Sequence, residues 1–146
     1  MTTSLKVLLQ SKGNLVFTTT PETSILDAVD KMRDSLISSL LVIDKDDNIA
    51  GILTDRDCLN KVLLKELSPR KTKVSDAMTT DVLTLPPETP IEECMQLMTE
   101  KRVRQCIIVD QGKLLGLISI GDVVKFLCSV HEQDIANLEK YISGSM

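Results

Sequence analysis

The chain has 146 residues, a formal net charge of −4 and 26% charged residues, an ordinary globular composition with room for one core or two halves that share one. The acidic balance argues against a nucleic-acid binder, whose footprint is a basic face, and two phenylalanines with one tyrosine leave few stacking platforms. No apolar run approaches the roughly 20 residues that cross a bilayer, so no membrane partner is expected.

Met1 to Gly13 reads as a short helix, about Ser4 to Gln10, and lacks the long apolar core of a secretory signal. A cytoplasmic protein is expected, or a mitochondrial one if a presequence precedes this stretch. Cys58, Cys94, Cys106 and Cys128 are widely spaced, with no Cys-x-x-Cys and only His131 to join them at a metal. They read as free cysteines behaving as small hydrophobes in a reducing compartment.

Beyond the first helix the chain repeats. Pro21-Glu22-Thr23-Ser24-Ile25 returns as Pro87-Glu88-Thr89-Pro90-Ile91, 66 residues later. Each copy follows a β-branched run that predicts a strand, Val16-Phe17-Thr18 and Val82-Leu83-Thr84. Each precedes an amphipathic helix, with Ile25, Ala28, Val29 and Met32 on one face and Ile91, Cys94, Met95 and Met98 on the other copy's. Thr23 and Thr89 stand where helix N-caps are expected. Leu40 to Asp44 and Cys106 to Asp110 then predict strands, joined by turns at Lys45–Asn48 and Gln111–Lys113 to second strands. The second turn is one residue shorter, so the offset becomes 65 from Gly51 and Gly116 onward.

The pivotal feature is a cassette present twice, Gly51-Ile52-Leu53-Thr54-Asp55-Arg56-Asp57 and Gly116-Leu117-Ile118-Ser119-Ile120-Gly121-Asp122. Each is a strand that ends in a hydroxyl residue, with a carboxylate three positions on that opens a helix, about Asp55 to Leu67 and Ile120 to Val130. One copy alone would be ordinary helix capping, since first-turn amides lack intrahelical partners. Recurrence of the whole cassette calls for more. The basic residues Lys61, Lys65, Arg70, Lys71 and Lys73 read as a solvated linker. The organisation is therefore 1–67 as a first repeat with its N-terminal helix, 68–81 as a connector, 82–130 as a second repeat, and 131–146 as a helical tail with Ile135, Leu138 and Ile142 on one face.

With these two cassettes, the two Pro-Glu-Thr helix starts and Val74-Ser75-Asp76-Ala77-Met78-Thr79, the chain resembles a tandem pair of cystathionine-β-synthase (CBS) domains, a stand-alone Bateman module. The resemblance implies an α+β (α/β) fold of two pseudo-symmetric β-α-β-β-α repeats packed through their sheets, with ligand clefts between them and dimerisation into a disk. It implies adenosine-containing ligands: AMP, ADP, ATP, sometimes NAD(H) or S-adenosylmethionine, and no obligate cofactor. In this pattern Asp57 and Asp122 accept ribose hydroxyls, a task that suits an acceptor-only carboxylate. Thr54 and Ser119 face ribose and phosphate, Ile52 and Leu117 lie against adenine, and Thr18 and Thr84 at the first strands complete the ligand-binding set. Arg104, with Lys101 a turn earlier, matches the basic position that contacts phosphate. Ser38 stands at the corresponding place in the first half, so a phosphorylated ligand is expected at the second cassette. Ile107 replaces a proline frequent in the family beside the adenine.

No serine–histidine pair, metal-ligand cluster or Gly-rich phosphate loop is present, which argues against an enzyme. The expectation is a regulatory adenine-nucleotide sensor. The alternative is a protein-interaction module, for example a regulator of a redox partner, with empty clefts.

Overall fold

A computed structural model describes residues 3–13 and 15–130. The predicted tail helix, 131–146, lies outside the described residues. The chain divides into two compact units, Leu15–Val82 and Met1–Asn14 with Leu83–Met146.

The first unit holds β1 (Thr18–Thr19), α2 (Ile25–Ser35), β2 (Ser39–Ile43), β3 (Ile49–Thr54), α3 (Asp55–Cys58) and α4 (Val74–Ala77). The second holds α1 (Leu5–Lys12), β4 (Thr84–Leu85), α5 (Ile91–Lys101), β5 (Gln105–Asp110), β6 (Lys113–Ser119) and α6 (Ile120–Val130). Each sheet has the order first–second–third strand, a parallel pair bridged by the helix and then an antiparallel hairpin. The register repeats too: Thr18, Leu41 and Ile52 form one row, and Thr84, Ile107 and Leu117 form its copy. Both hairpins slip register at the matching place, after Val42 and after Ile108.

The helical faces pack as their periodicity predicts. Ile25, Ala28 and Met32 are buried with Leu40, Val42 and Leu53, whereas Val29 turns partly outward. Ile91, Cys94 and Met98 are buried with Cys106, Ile108 and Ile118. Helices α2 and α5 both end on a left-handed residue, Leu36 and Arg102, each at φ 56°. A residue other than glycine is uncommon in that conformation, so its recurrence marks a turn that both repeats share.

Several details differ from the sequence expectations. Ser24, not Thr23, caps α2, its Oγ accepting the Asp27 N–H at 3.1 Å. In α5 the cap position falls to Pro90, which has no side-chain acceptor. The carbonyls of Thr23 and Thr89 instead receive Val74 N–H and Leu5 N–H. The helix expected from Asp55 to Leu67 is α-helical only to Cys58 and continues as a π-helix over Leu59–Leu63. Val62 is buried there, while Leu59, Leu63, Leu64 and Leu67 are exposed.

The largest difference concerns the segments outside the repeats. The N-terminal helix packs with the second repeat, and the connector packs with the first. The two segments are counterparts. Leu5, Lys6 and Ile91 N–H donate to Thr89, Pro87 and Thr3 O, while Val74, Ser75 and Ile25 N–H donate to Thr23, Pro21 and Thr72 O. Thr3–Leu9 thus stands to the second repeat as Thr72–Met78 stands to the first. Helices this short are marginal alone and form on the surface that buries their apolar face: Leu5, Leu8 and Leu9 in α1, Val74 and Ala77 in α4.

Candidate functional site

The cassettes are strand-to-helix junctions with reciprocal caps. Thr54 Oγ1 accepts the Asp57 N–H at 3.0 Å, and Asp57 Oδ2 accepts the Thr54 N–H at 3.0 Å. Ser119 and Asp122 do the same at 3.1 and 2.9 Å. A capping box satisfies two otherwise orphaned amides, and both aspartates perform it.

The cassette glycines mark close approach. A Cβ on Gly51 would stand 2.5 Å from the Thr79 carbonyl oxygen, and one on Gly116 would stand 2.6 Å from Leu9 Cδ2. Each glycine therefore admits the segment that packs on its repeat.

At the first cassette that segment closes the site. Thr79 and Ile52 exchange both main-chain hydrogen bonds, at 2.8 and 2.9 Å. The Thr79 hydroxyl reaches both oxygens of Asp57, at 3.0 and 3.2 Å. Lys61 adds an ion pair to Asp57 Oδ1 at 3.1 Å and donates to Ala77 O at 3.1 Å. Lys61 therefore does not belong to a solvated basic linker, and Lys73 pairs with Glu22 at 2.8 Å. Both Asp57 oxygens are engaged, and the side chain is only 10% exposed. Next to it, burial pushes the Cys58 thiol up to about 11, helped by the charges of Asp57 and Asp55.

At the second cassette α1 runs on to Lys12, and one side chain takes the place of the Thr79 donors. The Lys12 ammonium donates to Leu117 O and to Asp122 Oδ2, the latter at 2.6 Å. Ser119 N–H also goes to Oδ2, so Oδ1 has no partner among the described residues. The Asp122 side chain is 26% exposed. Burial opposes its ionisation, but the hydrogen bonds from Lys12 and Ser119 and the ammonium charge outweigh this and hold the carboxyl below its ordinary range.

The other expected residues divide into two groups. Arg104 lies at the junction: its carbonyl accepts Ile120 N–H at 2.9 Å, as Ser38 accepts Asp55 N–H in the first unit. Its side chain is exposed, as is that of Lys101 at the end of α5, and neither forms an ion pair among the described residues. Ile52 is buried and Leu117 half-buried, both on the third strand. Thr18 and Thr84 share their rows but lie two strands away, roughly 10 Å. The structure therefore does not bring these two threonines to the carboxylates.

Lys12, Lys61 and Thr79 are the residues that sequence reasoning missed. A lysine ending a helix reads as a dipole complement, and its actual target lies 110 residues away. All four cysteines are free, with Cys94 and Cys106 buried in one core and Cys128 exposed. The Cys94 contact and burial push the Cys106 thiol up. Among the described residues no group of His, Cys, Asp and Glu could hold a metal ion, and no helix is long and apolar enough to cross a membrane.

Comparison with known proteins agrees with this duplicated architecture. The CBS domain family model matches residues 14–64 and 74–129. The mitochondrial CBS domain-containing protein CBSX3 of Arabidopsis thaliana is 34% identical over 151 residues, covering 97% of this chain and 73% of the plant protein. A CBS-domain protein from Burkholderia ambifaria superposes with a TM-score of 0.83 at 41% identity, covering 87% of this chain and 95% of that one. A CBS-domain-containing protein from Agrobacterium tumefaciens gives 0.81 at 36% identity, covering 86% and 93%. The chain therefore belongs to the CBS domain family, as a tandem pair.

Proposed function

We propose that this CBS pair is a non-catalytic regulatory module that binds an adenosine-containing ligand, AMP, ADP, ATP or NAD(H), at its second cassette. One observation carries the reading: Asp122 is half-buried and ionised, with one carboxylate oxygen unengaged among the described residues, beside Leu117 and the Arg104 backbone. An ionised acceptor suits a ribose hydroxyl, Leu117 offers an apolar surface for the base, and Arg104 can grip phosphate bidentately. Asp57 is satisfied by Thr79, Lys61 and Thr54 and is the weaker candidate. A bound ligand stabilises the fold by mass action. It regulates only insofar as it binds two arrangements unequally.

Thermal unfolding with and without AMP, ATP and NADH tests this reading. A rise in melting temperature that disappears in Asp122→Ala and persists in Asp57→Ala is the expected result. No shift with any of the three in wild type refutes it.

A second reading, a protein-interaction module, draws on the exposed row Leu59, Leu63, Leu64 and Leu67. That apolar surface also suits the homodimer expected of a CBS pair. Unchanged melting with every nucleotide, together with a dimer-to-monomer change in Leu63→Glu, would favour it. The mitochondrial name of the Arabidopsis relative supports the mitochondrial alternative for the compartment.

A further inference from the structure

The two cassettes present the same acceptors, a third-strand carbonyl and the capping aspartate, and the chain fills them in different ways. In the first unit Ile52 O and Asp57 are taken by Thr79, through its main-chain N–H and its hydroxyl. In the second unit Leu117 O and Asp122 are both taken by the one ammonium of Lys12. That side chain alone serves both acceptors, which in the first unit draw on a main-chain N–H and a hydroxyl.

We propose that Lys12 is an internal competitor for the second site, which a ligand displaces from Asp122 Oδ2 and Leu117 O to gain acceptors beyond the open Oδ1, so that the end of α1 tunes the site's affinity. The inference rests on the nucleotide reading above. The rest of α1 need not move. Leu5, Leu8 and Leu9 are buried, Gly13 N–H closes the helix on Leu9 O at 2.8 Å, and Leu5 and Lys6 N–H are held by Thr89 and Pro87. The Lys12 side chain is 32% exposed, and an ammonium on a four-carbon stem has three donors and many rotamers. Rotation of that stem frees both acceptors for a donor-rich ligand edge, such as a vicinal diol with an amino group. No single rotation opens the first site, where Ile52 O is taken by main chain and Asp57 by two side chains, Thr79 and Lys61.

Adenosine is the probe, because it has no phosphate whose field would change with Lys12. Calorimetry should compare wild type, Lys12→Met and, as a control on the same helix, the exposed Lys6→Met. Lys12→Met is expected to bind adenosine about two- to fivefold more tightly, a gain set by the modest net worth of a partly exposed ion pair. Lys6→Met should match wild type. Adenosine affinity in Lys12→Met that is unchanged or weaker, while wild type binds, overturns the competitor role and leaves the nucleotide reading standing. Wild type that binds neither adenosine nor AMP overturns both. Circular dichroism of each variant confirms that any change is not a loss of fold.

Discussion

Asp57 and Asp122 hold the same place in two copies of one fold, yet their removal should have unequal consequences. Asp57→Ala deletes a reciprocal cap, about 1 kcal/mol. It also strips the partly buried Thr79 hydroxyl of a charged acceptor, about 1.5–2 kcal/mol, and breaks a pair with half-exposed Lys61 worth about 0.5 kcal/mol. The expected loss is about 3 kcal/mol. Asp122→Ala loses the same cap and an ion pair with partly exposed Lys12, but no hydroxyl loses a charged acceptor, so about 1.5 kcal/mol is expected. At about 3 °C per kcal/mol for a chain of this size, melting temperatures should fall by about 9 °C and about 4–5 °C. Urea midpoints should follow the same order. Scanning calorimetry of the two variants decides the matter. Equal losses, or a larger loss in Asp122→Ala, would refute the claim that Thr79 and Lys61 make the first carboxylate structural.

The glycines and the acid limb give two further tests. Gly51→Ala drives a methyl against the Thr79 carbonyl, which is main chain, and should cost about 2–3 kcal/mol, whereas Gly116→Ala meets only the tip of Leu9 and should cost about 1 kcal/mol. Chemical denaturation measures both, and a reversed order would refute this account of the cassette glycines. Because the folded Asp122 carboxyl lies below its ordinary value, its contribution is fully present above about pH 4 and is lost as pH falls through the folded value. The stability gap between wild type and Asp122→Asn should therefore narrow below about pH 4, as read from urea midpoints. A gap that widens on acidification would contradict the ion pair.

The sequence displayed the repeat because strong local chemistry carries it: Pro-Glu-Thr at the helix starts, alternating strands, and a hydroxyl three residues before an aspartate. Those signals also placed α6 at Ile120–Val130. The equivalence of Thr3–Leu9 and Thr72–Met78 stayed hidden for two reasons. The pair is offset by 69 rather than 66 residues, and its shared content is one threonine and three apolar positions, Leu5/Val74, Leu8/Ala77 and Leu9/Met78. What aligns them is a set of main-chain hydrogen bonds, which no side-chain pattern encodes. The π-turn at Leu59–Leu63 was hidden likewise, since its apolar spacing also suits an α-helix. Asp57 and Asp122 were legible as residues, but their availability was not, because it is decided by Thr79, Lys61 and Lys12 on distant or differently turned segments.

That difference in availability traces to how far each packing helix runs. Helix α4 stops at Ala77 and the chain extends, so Thr79 lies along Ile52 as a strand bridge. Helix α1 continues to Lys12, and no bridge to Leu117 forms among the described residues. To open the first site a ligand would break two main-chain hydrogen bonds, strand a partly buried hydroxyl and displace Lys61, each step leaving polar groups to be satisfied again. Opening the second requires new rotamers for one partly exposed lysine. The repeat presents two equivalent sockets, and the lengths of two short helices leave one filled by main chain and the other held by a single lysine. The asymmetry expected from Arg104 standing where the first repeat has Ser38 thus has a second and independent cause, and both favour the same cassette.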